Sequence, residues 1–152
     1  MNKSTYLARS IELSKQSIKI GGYPVGAVIV HNGQIIAEGL SDGKQICDAT
    51  SHAEVAAIRE ASRKLGRRNL DDVVLYTSLE PCVMCFTASF WAYIPKVVFI
   101  CSRKRVSPDY YEGNHDIKEI NKNSRRQIEL IHYTELEEQA LQIINDWEKV
   151  RN

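Results

Sequence analysis

Two short segments hold side chains whose types and spacing suit metal-assisted hydrolysis. They are His52-Ala53-Glu54 and, with its first thiol thirty positions after the imidazole, Pro81-Cys82-Val83-Met84-Cys85. One imidazole and two thiolates are donors that Zn²⁺ accepts, and three protein ligands leave a fourth coordination position for water. A structural zinc site would close that position with another Cys or His. Glu54 is the informative addition, because a metal-activated water that attacks carbon needs a proton acceptor beside it. Its offset of two residues keeps it from sharing the direction of His52, which suits a residue that approaches the water and not the metal. Taken alone, C-x-x-C also suits a redox pair or half of a zinc finger, and H-x-E carries little. Their joint occurrence, with Pro before the first Cys, favours a hydrolytic centre. A noncatalytic zinc scaffold is the alternative these residues leave open.

The elements that must position these groups follow from apolar spacing. Residues 3–20 read as an amphipathic helix through Leu7, Ile11 and Ile18, ended by Gly21-Gly22-Tyr23-Pro24. Val25–Val30 and Ile35–Gly39 are apolar runs around Asn32-Gly33, a two-residue hairpin signal. A loop over 41–51 leads to a helix from His52 to Leu65, stopped by Gly66. Val73–Thr77 is a strand, and Pro81 suits the first turn of a helix reaching Ala92. Val97–Cys101 is the next strand, and 102–127 reads as polar and irregular. Ile128–Tyr133 and Glu135–Val150 are the last strand and helix. The order predicts an α/β fold, a mixed five-stranded sheet with helices on both faces. His52 and Cys82 each fall where a helix begins, and Cys82 and Cys85, at i and i+3, share a helical face. A helix N-terminus favours the thiolate form.

With 152 residues, 43% hydrophobic and 26% charged, the chain reads as one domain, 1–152, of ordinary soluble composition. It shows no run long enough to span a membrane and no apolar leader, so a cytoplasmic location with reduced thiols is expected. Cys47 and Cys101 match no ligand spacing and read as packed thiols. His31 and His132 read as structural or surface residues. The net charge of +1 gives no global field for nucleic acid. From Tyr133 onward the tail carries five acids and two bases, whereas a helix that docks on RNA should be basic. Arg63-Lys64-Arg67-Arg68 and Arg103-Lys104-Arg105 are local basic clusters, read as a solvated helix end and loop.

H-x-E…P-C-x-x-C is the signature of zinc-dependent nucleobase deaminases, and the chain resembles that superfamily. Tyr23-Pro24-Val25-Gly26-Ala27-Val28-Ile29-Val30, Thr50-Ser51-His52-Ala53-Glu54 and Leu79-Glu80-Pro81-Cys82-Val83-Met84-Cys85 are most similar to the branch of guanine deaminases, fungal-type cytosine deaminases and tRNA adenosine deaminases. The resemblance implies a three-layer α/β/α sandwich of cytidine deaminase type over nearly the whole chain. It also implies one Zn²⁺ per subunit on His52, Cys82 and Cys85, and Glu54 as the proton carrier. Glu54 would take a proton from water, pass it to a ring nitrogen and then protonate the departing amine, leaving a carbonyl and ammonia.

The substrate contacts implied by the resemblance are Val25 and Gly26 through their backbone, Ser41, Ala53, and the peptide at Glu80 near the departing amine. Phe90-Trp91-Ala92 resembles a Tyr-Trp-Ala stretch of bacterial guanine deaminases, so Trp91 is a candidate for stacking on a ring, or for the core. In the segment 109–116, where guanine deaminases place an acidic loop, Glu112 and Asp116 are candidates for proton handling or amine recognition. One departure stands out: Glu38-Gly39 is followed by Leu40-Ser41, where these families commonly place Asn. That leaves open a purine, a pterin-like or triazine-like ring, or another amino-heterocycle. The expected activity is deamination of a purine-like base, guanine first, in a homodimer. A tRNA wobble-adenosine deaminase and a cytosine deaminase are the alternatives.

Overall fold

In the computed structural model, which describes residues 2–151, helix α1 (Lys3–Lys19) begins at an Asn2 cap whose side chain accepts the Thr5 N–H at 3.1 Å. Its buried stripe of Tyr6, Leu7, Ile11 and Leu13 lies on the sheet. Strands β1 (Gly26–His31) and β2 (Gln34–Leu40) form the expected hairpin. Both turn residues, Asn32 and Gly33, adopt positive φ, the geometry that matches strand twist. A four-residue helix, α2 (Gly43–Ile46), interrupts the loop expected over 41–51. Then come α3 (Ala53–Leu65), β3 (Val73–Leu79), α4 (Val83–Trp91), β4 (Lys96–Cys101), α5 (Ile117–Lys122), β5 (Glu129–His132) and α6 (Glu137–Arg151). The segment 102–127 is thus not wholly irregular. Asp116 caps α5 by accepting the Lys118 N–H at 2.9 Å, and Ile117 enters the core.

The sheet order is β2-β1-β3-β4-β5, with β1 antiparallel to both neighbours and β3, β4 and β5 parallel. Alternate residues of each strand face opposite cores. Val28, Val30, Tyr76, Val98 and Ile100 pack against α1 and α6. Ala27, Ile29, Leu75 and Val97 pack against α3, α4 and α5. This is the three-layer α/β/α sandwich expected. The parallel strands β3 and β4 are joined through α4, so the C-terminal end of β3 delivers the chain to Cys82. Among the described residues no helix is long and apolar enough to cross a membrane.

Candidate active site

His52 and Cys82 are the N-cap residues of α3 and α4, both in extended backbone conformation. Their side chains turn to a common point. His52 Nδ1 lies 3.5 Å from Cys82 Sγ and 3.6 Å from Cys85 Sγ. The donor atoms of the three residues all stand within 4.8 Å of one another, the only such group among the described residues. A soft, three-donor set of this size with one imidazole fits Zn²⁺ with an open position. Hydrogen bonds from Cys85 and His52 hold the Cys82 thiol down, at about 4. Cys85, bonded to Cys82 and buried, is held above the ordinary thiol range. The pair therefore shares one proton, which a divalent cation would displace.

Glu54, in the first turn of α3 and 3% exposed, stands beside this cluster. Burial, with the Cys82 charge second, raises its carboxyl to about 7; a cation on the cluster pulls in the opposite direction. The Thr77 hydroxyl lies 3.4 Å from Glu54 Oε1 and 3.2 Å from the Leu79 carbonyl. A cavity of about 110 Å³ opens on the group. His52, Ala53, Glu54 and Cys82 line it from the motif, with Val25 and Ser41 on one side and Leu79 and Glu80 on another. Asp109, Tyr110, Tyr111 and Glu112 close it, and Tyr23 forms its rim.

Most of the expected contacts therefore come together, and three do not. Gly26 is buried, but its lack of a side chain serves packing. A Cβ there would meet the Ser10 carbonyl at 2.3 Å. Trp91 is the last residue of α4 and 76% exposed. Nine residues of helix, roughly 1.5 Å each, carry it away from Cys82, so it neither lines the cavity nor joins the core. Asp116 is spent on the α5 cap and on Arg103, 3.3 Å away. Those partners, the Lys118 N–H first, hold its carboxyl below the usual range. Of the two unassigned thiols, Cys101 is buried as expected, whereas Cys47 is exposed at the left-handed end of α2.

Tyr23, Tyr110 and Tyr111 are cavity residues that sequence reasoning left without a role. An aromatic pair inside a polar loop was the available signal. Ser41, standing where Asn is common, accepts the Tyr23 N–H on its hydroxyl at 3.4 Å, and its own N–H donates to Ser17 Oγ at 3.0 Å. Tyr23 also lines two neighbouring cavities. One runs over Lys44, Cys47 and Asp48, the other over Ser107, Glu148 and Arg151. Its ring packs on Tyr110 and Trp147, with centroids 6.1 and 5.6 Å away.

A sheet of this order, with a His-Cys-Cys group and a buried Glu at two helix starts, defines a zinc-dependent deaminase. The chain belongs to the cytidine and deoxycytidylate deaminase zinc-binding family, whose model matches residues 1–101. It is 44% identical over 124 residues to a guanine deaminase from Bacillus subtilis, covering 80% of this chain and 79% of that one. It is 38% identical over 105 residues to a tRNA-specific adenosine deaminase from Aquifex aeolicus, covering 69% and 70%. A solved guanine deaminase from Nitrosomonas europaea has the same fold, with a TM-score of 0.85 at 23% identity over 97% of this chain and 85% of that one.

Proposed function

We propose that this deaminase hydrolyses the exocyclic amine of a free purine-like base, with guanine the first candidate, and releases ammonia. The observation that carries this reading is the cavity itself. At about 110 Å³ it is far below the roughly 300–1,000 Å³ of sites for drug-sized ligands, and its wall holds Glu54 beside the three donors. His52 Nδ1, Cys82 Sγ and Cys85 Sγ would hold one Zn²⁺ per subunit. Bound there, it supplies the Lewis acidity that makes water nucleophilic near neutral pH. Glu54 does the proton work through its carboxylate oxygens: it takes one proton from the attacking water and hands it to a ring nitrogen, then takes the second from the hydroxyl left on carbon and hands it to the departing amine as the carbonyl forms. Its place in the cavity wall, buried beside the three donors, sets the carboxyl where it can both take and give a proton. Val25, Ser41, Ala53, Glu80 and Glu112 shape the ring's seat.

A tRNA adenosine is the second reading, favoured by the identity to the Aquifex aeolicus enzyme. The surface charge argues against it. Arg63 and Lys64 pair with Glu60, Arg67 with Asp71 and Asp72, Arg103 with Glu80 and Asp116, and Arg105 with Glu137 and Glu138. Phosphate contacts dominate RNA affinity, and these cations are already engaged. Ammonia release from guanine, adenine, cytosine, their nucleosides, pterins, aminotriazines and an anticodon stem-loop tests the reading, with Glu54→Ala as control. Glu54-dependent turnover of guanine supports it, and turnover of the stem-loop alone replaces it with the second. Four free thiols fit a reducing, cytoplasmic setting. The exposed Trp91 and Tyr93 at the end of α4 fit a homodimer, which sedimentation of the zinc-loaded protein checks.

A further inference from the structure

Nothing in the proton chemistry above uses Arg103, yet it sits in a bonded polar cluster beside the cavity. Its side chain is only 17% exposed, and it meets Glu80, itself 4% exposed. Glu80 Oε2 accepts the Arg103 backbone N–H at 3.0 Å and the Ser102 hydroxyl at 3.3 Å, and the Arg103 Nε stands 3.8 Å from Oε1. From there the guanidinium reaches outward, to Asn114 Oδ1 at 2.9 Å and Asp116 Oδ2 at 3.3 Å. A second tie runs from the same residue: the Tyr111 hydroxyl donates to the Glu80 carbonyl at 3.0 Å. Glu80 leads directly into Pro81-Cys82. The segment bearing Tyr110, Tyr111 and Glu112 is therefore fastened on both sides of Glu112 to the residue that precedes the metal-ligand helix.

We propose that Arg103 is a positioning residue, which fixes the 109–116 segment over the catalytic cavity by bridging Glu80 to Asn114 and Asp116. Guanidinium suits the task because its planar fork serves several acceptors at once, which an ammonium cannot do in the same geometry. The segment needs such a fastening. Glu112 takes a left-handed backbone at φ +50°, and Gly113 a φ of +140° that only glycine holds without strain. The stretch is short of apolar anchors, with Tyr111 its one buried side chain before Ile117. A closing segment held by polar bonds acts on substrate capture more than on the bond-breaking step. Its loss should appear in KM.

The test uses the zinc-loaded full chain and two variants that cut the bridge from opposite ends. Arg103→Gln removes the cation; Asn114→Ala with Asp116→Asn removes the acceptors on the loop, leaving Arg103 on Glu80 and the α5 cap in place. Both should raise KM about tenfold with kcat changed by less than about threefold, and combined they should cost no more than either alone. Arg103→Lys should not restore KM. Amide exchange should quicken in 109–116 while 52–65 and 79–92 keep their protection and zinc content is unchanged. A purely structural Arg103 would instead lower zinc content and protection throughout. Unchanged exchange in 109–116 for the loop-side variant, or unchanged KM, overturns the proposal. The kinetic arm rests on the deaminase reading, whereas exchange needs no turnover. A wrong substrate therefore silences the first and leaves the second decisive, and the loop-side variant decides if Arg103→Gln does not fold.

Discussion

The backbone of Gly39 lies against the first turn of α3, so that a Cβ on it would stand 1.8 Å from the Ala53 carbonyl oxygen. This is the contact that seats the helix bearing His52 and Glu54 on the sheet. Gly39→Ala would force β2 and α3 apart. The expected loss is about 1–3 kcal/mol, the usual cost of overpacking, with reduced zinc occupancy because His52 moves with the helix. Denaturant midpoints and metal content on the same samples check it. A stable, fully metallated variant would show that the helix start tolerates displacement.

Glu54→Gln keeps the volume and removes the base. Turnover should fall by roughly 10²–10⁴-fold while zinc content and melting temperature hold. Because His52, Cys82 and Cys85 are untouched, a variant that lost its metal would place Glu54 among the ligands instead.

Metal removal should be felt as loss of stability. Without an ion, the two thiols at the start of α4 and the imidazole at the start of α3 face one another with no cation to bind them together. Chelation should lower the melting temperature, and added Zn²⁺ should restore it. A free-ion concentration of about 100 Kd gives about 2.7 kcal/mol. His52→Ala should abolish the response, and a zinc-dependent melting shift surviving in that variant would assign the metal elsewhere.

Cys101 sets an alkaline limit. Fully buried on β4, its thiol is pushed up to about 12 by burial and then by Glu137. The unfolded chain releases this proton near 9, so between about 9 and 12 the folded state holds more protons than the unfolded one. Stability must then fall as pH rises, by up to about 1.4 kcal/mol per unit from this group. Cys101→Ala should flatten the dependence between about pH 9 and 10, by the share this thiol contributes. An unchanged slope would mean that the thiol ionises in place.

What the sequence made legible is local in the chain. H-x-E, P-C-x-x-C, the Asn32-Gly33 turn and the Gly66 stop each act through neighbours a few residues away, and each lies where its chemistry places it. The illegible part depends on pairings across the fold. Nothing near Arg103 in the chain announces Glu80 or Asp116 as partners. Asp116 read as a free acid because the six-residue helix it caps is too short to show a period. Trp91 read as a stacking or core residue because Phe90-Trp91-Ala92 resembles a guanine deaminase stretch, yet at the end of α4, just before Tyr93 turns to positive φ, it faces solvent. Arg126 fastens that turn, bonding the Phe90 carbonyl and lying 4.5 Å from the centre of the Tyr93 ring.

Tyr23 borders the catalytic cavity and both of its neighbours. The three volumes are therefore divided by a side chain on a surface turn, outside the sheet and the metal cluster. A change there can join three small volumes into one groove without disturbing a ligand, a strand or Glu54. The architecture thus sets the divider between these volumes apart from the groups at the helix starts, so the room beside the cluster can be enlarged from the surface while the cluster stays intact.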